Sequence, residues 1–375
     1  RRCCTPGSFN AFTISVCNRS IAARGVAQPS QTRPFRMGVT RWPPDLTLEA
    51  VAATDRFIAD ECDMAAPMIL GGVPWTEALS GAPFSQNLNT ELAYRPPQGH
   101  KLLLSIGPLD TSRRAMAPYW GQTDNRPIPA PFAGLTFDDA RTMRAYTNFA
   151  IRACEATRPD WLAIGIESNL LLHNAPALWP AYKALHRHAY ERIKARFPNL
   201  QVLFTMEVSH LLGLSEHADG ALQRREMLDL MRHSDLAAFS VYPHMSWEIP
   251  RPLPTDFFAF AKRFAEDAGG KPIGVTESGY TSRNVMIGTL PLFGSPRDQQ
   301  RHFELLLETA HRDRFAFIVN FASHDFERLT RRLSGQMQTL SRIWTYTGIV
   351  RGDGRAKPGT AVWRRYRAMR YARTA

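Results

Sequence analysis

The sequence is poor in cysteine, in lysine and in long apolar runs. Five cysteines (Cys3, Cys4, Cys17, Cys62, Cys154) are too few and too irregularly spaced for a disulfide scaffold, and no CxxC pair offers a structural zinc site. No run approaches the roughly 18–20 apolar residues that span a bilayer, so no membrane span is predicted. Neither G-x-G-x-x-G nor Walker A occurs, which removes the phosphate-binding turns of open doubly wound sheets. Only six of the 46 basic residues are lysine, so the net charge of +12 is carried by arginine. Those arginines are scattered except for Arg364, Arg365, Arg367, Arg370 and Arg373, which alternate with Trp363, Tyr366 and Tyr371. That alternation predicts a last amphipathic helix with a solvated basic face. No nucleic-acid-binding signature accompanies the charge, so no nucleic-acid partner is expected.

What is present is ample core material. Of 375 residues, 44% are apolar and 21% charged, which excludes a disordered chain. Length alone suggests two or three domains, but an α/β barrel of this size forms one. Residues 1–35 read differently from the rest: Arg1-Arg2, a short apolar stretch from Phe9 to Val16, then the small residues Gly25-Val26-Ala27. They are expected to be a leader or the remnant of a secretory signal, outside the fold, which points to a secreted or periplasmic location.

From residue 36 onward, short apolar runs alternate with longer segments of helical period. Eight strands are predicted: Met37–Thr40, Ala65–Leu70, Lys101–Ile106, Trp161–Ile166, Gln201–Met206, Leu236–Val241, Pro272–Thr276 and Phe315–Asn320. Their starts lie 28, 36, 60, 40, 35, 36 and 43 residues apart, the spacing of repeated strand–helix units. Runs such as Leu102-Leu103-Leu104 imply burial on both faces. Ser295-Pro296 opens one helix, while Arg158-Pro159, Phe197-Pro198 and Ala268-Gly269-Gly270 close three. The expected fold is a single (β/α)8 TIM barrel over residues 36–375. Its longest loop, Asp110 to Thr136, lies on the face that bears the chemistry.

That face is read from the residues following each strand. In order they are Arg41 and Trp42; Trp75 and Glu77; Asp110; Glu167, Ser168 and Asn169; Glu207 and His210; Tyr242 and His244; Glu277 and Tyr280; and Asn320, with His324 and Asp325 beyond. Glu167 and Glu277 directly follow apolar strands, where a charge is costly without a partner. Two such carboxyls suit glycoside hydrolysis, one protonating the leaving oxygen and the other attacking the anomeric carbon or activating water. Trp42, Trp75, Tyr242 and Tyr280 are candidates for stacking on sugars. Arg41, Asn169, Glu207, His244 and Asn320 complete the candidate substrate-binding set.

These positions resemble the clan A glycoside hydrolases, retaining enzymes on a (β/α)8 barrel, and most of all their mannanase-like or uncharacterised members. Pro272-Ile273-Gly274-Val275-Thr276-Glu277-Ser278-Gly279-Tyr280 is similar to the clan's strand-7 signature. Ser240-Val241-Tyr242-Pro243-His244 resembles its strand-6 segment, and Tyr346-Thr347-Gly348-Ile349 through Lys357-Pro358 its closing segment. The resemblance implies that Glu167 is the acid/base and Glu277 the nucleophile, with Tyr242 or His244 hydrogen-bonded to Glu277 and Arg41 acting on it electrostatically. It also implies an oligo- or polysaccharide substrate and no cofactor or metal. The sequence departs from the clan in placing Ile166 where an Asn usually precedes the acid/base. It also lacks the frequent strand-8 Trp, having Asn320-Phe321-Ala322-Ser323-His324-Asp325 instead. Two rival readings follow: a non-catalytic sugar-binding barrel, and a metal enzyme in which Asp110, Glu167 and Glu207 hold Mg²⁺. No motif fixes the oligomeric state.

Overall fold

The computed structural model describes residues 32–372. All eight predicted strands are present: β1 Arg36–Thr40, β2 Met64–Ala66 (extended by Met68–Ile69), β3 Lys101–Ile106, β4 Trp161–Ala163, β5 Gln201–Leu203 with Thr205–Glu207, β6 Ala237–Val241, β7 Ile273–Ser278 and β8 Phe317–Asn320. All pair in parallel. The ladder runs from Gln201–Leu203 through β4, β3, β2, β1, β8, β7 and β6 to Thr205–Glu207. Its two ends are halves of β5, separated only by Phe204, so the sheet curls into a nearly closed barrel.

Strand alternation builds two cores. Met64, Leu103, Ala163, Leu203, Ala238, Phe317 and Val319 face inward, with Trp161 packed edge-on against Phe317 at 4.9 Å. Their neighbours Ala65, Leu102, Leu104, Leu162, Val202, Phe239 and Ile318 face outward into the larger apolar cluster beneath the helices. The run Leu102-Leu103-Leu104 is therefore buried on both sides, as its composition requires. Helices Leu48–Glu61, Ala140–Thr157, Trp179–Arg196, Gly220–Leu230, Ala259–Asp267, Pro296–Arg312 and Pro358–Ala368 wrap the barrel. Their ends follow the local signals: Ser295 accepts from Asp298 N at 3.2 Å, and Arg158 closes its helix in the left-handed region (φ 51°). None of the described helices is long and apolar enough to cross a membrane.

The last helix carries the arginine-rich end. Trp363 and Tyr366 are buried, Trp363 Nε1 donates to Glu61 O, and Arg364 pairs with Glu61 at the surface. The boundary expected at residue 36 shifts. Thr32–Arg33 forms a short parallel pairing with Arg370–Tyr371, and Phe35 is core. Arg33 is 1% exposed, bonding Asp63 at 2.6 Å and Tyr366 O at 3.0 Å. An arginine so buried needs these partners, which no apolar periodicity reveals. Of the expected leader, residues 1–31 with Cys3, Cys4 and Cys17 lie outside the described residues. Cys62 and Cys154 are buried free thiols.

A buried ion pair fixes the closing segment over β8. Lys357 Nζ lies 2.8 Å from Asp325 Oδ1, and the two side chains are 4% and 5% exposed. Gly348 N donates to the same oxygen at 3.0 Å. Removing one partner leaves a buried charge uncompensated. Lys357→Met should therefore lower unfolding stability by about 3–5 kcal/mol, measured by urea titration.

Candidate active site

Both carboxylates sit at irregularities in their strands. Regular β4 pairing stops at Ala163, yet Ile164 N bonds Leu203 O and Ser168 N bonds Thr205 O. The surplus residues form a bulge in which Glu167 adopts φ 51° and donates its N–H to Thr205 Oγ1 at 2.7 Å. A non-glycine residue in that region carries strain, and bulges re-aim side chains. Gly165 permits the turn: a Cβ there would lie 2.4 Å from Tyr182 OH and 2.5 Å from Ser168 Oγ. In β7, Val275 pairs with Phe239 but Glu277 with Ser240, so Thr276 is the extra residue.

The two groups meet across β6. Ser240 lies beside Glu277 in register and donates to Glu167 Oε1 at 2.8 Å. Tyr242 OH donates to Glu277 Oε2 at 2.9 Å. Arg113, from the long loop after β3, places Nη2 3.2 Å from Glu167 Oε2. Asp110 shapes that loop, accepting from Arg114 N and Ala115 N through its carboxylate and from Arg113 Nη1 through its carbonyl.

Glu277 is 4% exposed. Burial, reinforced by the negative charge of Glu167, pushes its carboxyl up to about 8, against the opposing pull of Tyr242 and Arg113. The sequence reading asks instead for an ionised Glu277. Tyr242 is also driven well above its ordinary range, first by burial and then by Glu277, so it stays a donor.

Other predicted site residues divide into those near this pair and those elsewhere. Trp42 packs on Phe321, 6.0 Å away, in an aromatic wall with Tyr242, Phe326 and Trp344. His244 and Tyr280 lie 5.3 Å apart, both buried. His244 bonds Ile343 O rather than Glu277, and burial holds it neutral, down at about 4. Asn320 caps β8, donating to Ala322 O at 2.7 Å and Thr347 O at 3.2 Å, and its buried Oδ1 makes no hydrogen bond.

Four candidates are engaged away from the pair. Arg41 forms a two-pronged bond to Asp55 (2.7 and 2.8 Å) and lies over Tyr94, so the cation near the carboxylates is Arg113. Trp75 is fully buried under the long loop, bonded to Ala117 O and packed on Phe132. Asn169 is fully buried and exchanges both side-chain bonds with the Glu207 backbone. Glu207 caps a short helix, accepting from Ser209 N, His210 N and His210 Nδ1. Burial would raise Glu207, but the His210 contacts outweigh it and hold it below the usual carboxylate range. Asp110, Glu167 and Glu207 thus have separate partners, and among the described residues no group of three or more His, Cys, Asp or Glu is placed to hold a metal ion. A groove of about 530 Å³ lies elsewhere, along helix Leu48–Glu61 and Asp353–Gly354.

Sequence reading missed Arg113, Ser240 and Trp344. The first stands in the loop already marked by its length. Trp344, just before the closing segment, packs 5.0 Å from Phe321, supplying a tryptophan beside β8 that β8 itself lacks. It also missed Trp247, 63% exposed, which meets Phe293 at 6.4 Å on the loops after β6 and β7.

No protein-family model matches the sequence, and no curated protein matches it. Solved structures do. A GH5_18 protein from Streptomyces cattleya, in complex with Manβ1-4GlcNAc, superposes at TM-score 0.62 with 15% identity over 89% of this chain and 80% of that one. This chain has the barrel fold of the clan A glycoside hydrolases. An endoxylanase of family GH10 from a sugarcane soil metagenome matches at 0.57 and 11% identity, over 88% and 97% of the two chains. The exo-β-1,4-mannosidase of Opitutaceae bacterium strain TAV5 matches at 0.55 and 15%, over 89% of this barrel but 59% of that chain.

The raised carboxyl of Glu277 has a thermodynamic signature. Its fold holds a proton that the unfolded chain releases above the ordinary value of 4.5. Stability should therefore fall as pH rises from 4.5 to about 8. Glu277→Gln removes this slope and should be the more stable protein at alkaline pH, by on the order of 2 kcal/mol in urea titrations.

Proposed function

We propose that this protein is a glycoside hydrolase acting on β-linked glycosides by a retaining double displacement, with Glu167 as acid/base and Glu277 as nucleophile. One observation carries the reading: two carboxyls at the bulged ends of β4 and β7, tied to one strand between them through Ser240 and Tyr242. Their roles follow from position. Glu277 is the deeper and bonds to Tyr242, which fixes the oxygen that attacks the anomeric carbon. Glu167 is the more open, with 17% of its side chain exposed, as befits a group that serves both leaving group and water. In the first step the Glu277 carboxylate bonds to the anomeric carbon while Glu167 protonates the departing oxygen. In the second, Glu167 takes a proton from water, whose oxygen bonds to the anomeric carbon as the glycosyl ester breaks and frees the Glu277 carboxylate. Trp42, Trp344 and the exposed Trp247–Phe293 pair supply apolar faces for sugar rings around the same mouth. The mannose-containing ligand and mannosidase activity named for two of the similar structures make β-mannosides the first substrates to screen.

A non-catalytic sugar-binding barrel has one observation in its favour, the ion pair that holds Glu167 to Arg113. Mutants separate the two readings. Glu277→Gln should abolish turnover on every substrate. Glu167→Ala should lose about 10²–10⁴-fold on glycosides with poor leaving groups, yet spare activated aryl glycosides. Proton NMR of the first-formed product should show retained configuration, and EDTA should leave the rate unchanged. Sugar binding without turnover by the parent protein would establish the binding barrel instead.

A further inference from the structure

The groove of about 530 Å³ beside helix Leu48–Glu61 stands apart from the carboxyl pair and has a buried imidazole in its wall. His324, beyond the end of β8, is 8% exposed and meets Phe57 edge-on at 5.6 Å. Its Nδ1 is hydrogen-bonded to Ser323 Oγ at 2.9 Å, while Nε2 has no hydrogen-bond partner although the ring lines the groove. Burial first, and then the charge of Arg56, hold this ring below its ordinary range, so it is neutral. A buried polar nitrogen left open is costly unless an occupant of the groove bonds to it.

The charges around His324 cancel. Three acids of the wall are answered by arginines that do not line it: Asp45 by Arg332, Glu61 by Arg364 at 2.6 Å and Asp353 by Arg355 at 2.6 Å. Arg56, Arg328, Glu49 and Asp60 remain, and none of the four makes a hydrogen bond or ion pair among the described residues. Two cations and two anions leave no net charge, so neither an anion nor a cation is favoured. Guanidinium groups only donate hydrogen bonds, and carboxylates only accept them. Nε2 of His324 does one or the other, according to which way the bond to Ser323 runs. An occupant that suits all of these is neutral and carries several groups able both to donate and to accept. Hydroxyls meet that requirement. A carboxylate would answer only the donors, and an ammonium only the acceptors. Phe57 adds an apolar surface, and the volume suits a small-ligand cleft.

We infer that this groove is a second carbohydrate-binding site, separate from the carboxyl pair, in which Nε2 of His324 bonds one sugar hydroxyl and the four unpaired charged side chains bond others. The loops after β1 and β8 that line it also carry Trp42 and Phe321 of the aromatic wall. A polysaccharide held here is therefore kept at the end of the barrel that bears the two carboxyls. That last consequence rests on the proposed glycosidase reading; the binding itself does not.

The His324 ring nitrogens report the outcome. In full-length protein labelled with ¹⁵N-histidine, His324→Phe assigns the two resonances by their loss. Mannohexaose, cellohexaose and xylohexaose are titrated separately into the parent and into Glu277→Gln, with inorganic phosphate as an anionic control. At least one hexaose should move the Nε2 resonance saturably, and phosphate should not. Replacing Arg56 and Arg328 together by alanine, both being exposed, should weaken that titration about ten-fold or more. The inference is overturned if no hexaose moves the resonance, so that the groove holds only water, or if phosphate alone does. It is overturned equally by a hexaose that binds the folded double variant at full affinity. Hydrolysis of a hexaose without movement at His324 removes the groove and leaves the glycosidase reading standing. Movement in a parent protein that hydrolyses nothing does the reverse.

Discussion

Two carboxyls at the top of an apolar barrel cannot both be charged without compensation, and much of the site answers that constraint. The interior below them is hydrocarbon from Met64 to Val319. Solvent reaches Glu277 barely at all. Both Glu167 oxygens receive a donor, from Ser240 and Arg113, and one Glu277 oxygen receives one from Tyr242. Strain at Glu167 and at Arg113 is tolerated because it brings those donors within reach.

The barrel supplies rigidity for this arrangement. Ser240 on β6 and Tyr242, the residue after the strand's end, lie two apart, so one stretch of chain addresses both acids. The closing segment performs a related task from outside. Lys357 and Asp325 hold it against β8, which seats Trp344 beside Phe321 and completes the aromatic wall.

The architecture was legible in the sequence because parallel strands buried on both faces read as short apolar runs at regular spacing. The placement of Glu167, Glu277 and Tyr242 at one end of the barrel was legible too, since polar residues ending such runs have few inexpensive alternatives. Arg41, Trp75, Asn169 and Glu207 are engaged away from the carboxyl pair for a shared reason. Position after a strand gives the correct end of the barrel but not the direction of a side chain. Arg41 turns to Asp55, Trp75 turns under the long loop, and Asn169 and Glu207 are consumed in joining β4 to β5. Arg113 was hidden because loop backbone follows hydrogen bonds rather than periodicity, and its place depends on Asp110 building one particular turn. Packing reaches back before residue 36 because Arg33, a charged residue, belongs to the core.

That last feature changes how the chain may be viewed. Thr32–Arg33 runs alongside Arg370–Tyr371, and Arg33 reaches across to the final helix at Tyr366. The first and last described segments are thus neighbours, and the (β/α)8 order between them has no privileged starting unit. Topologically the barrel is a ring whose opening happens to fall at this seam. A covalent link there, with a new break in a surface loop such as Pro250–Thr255, would give a circular permutant with the same strand neighbours and the same two bulges.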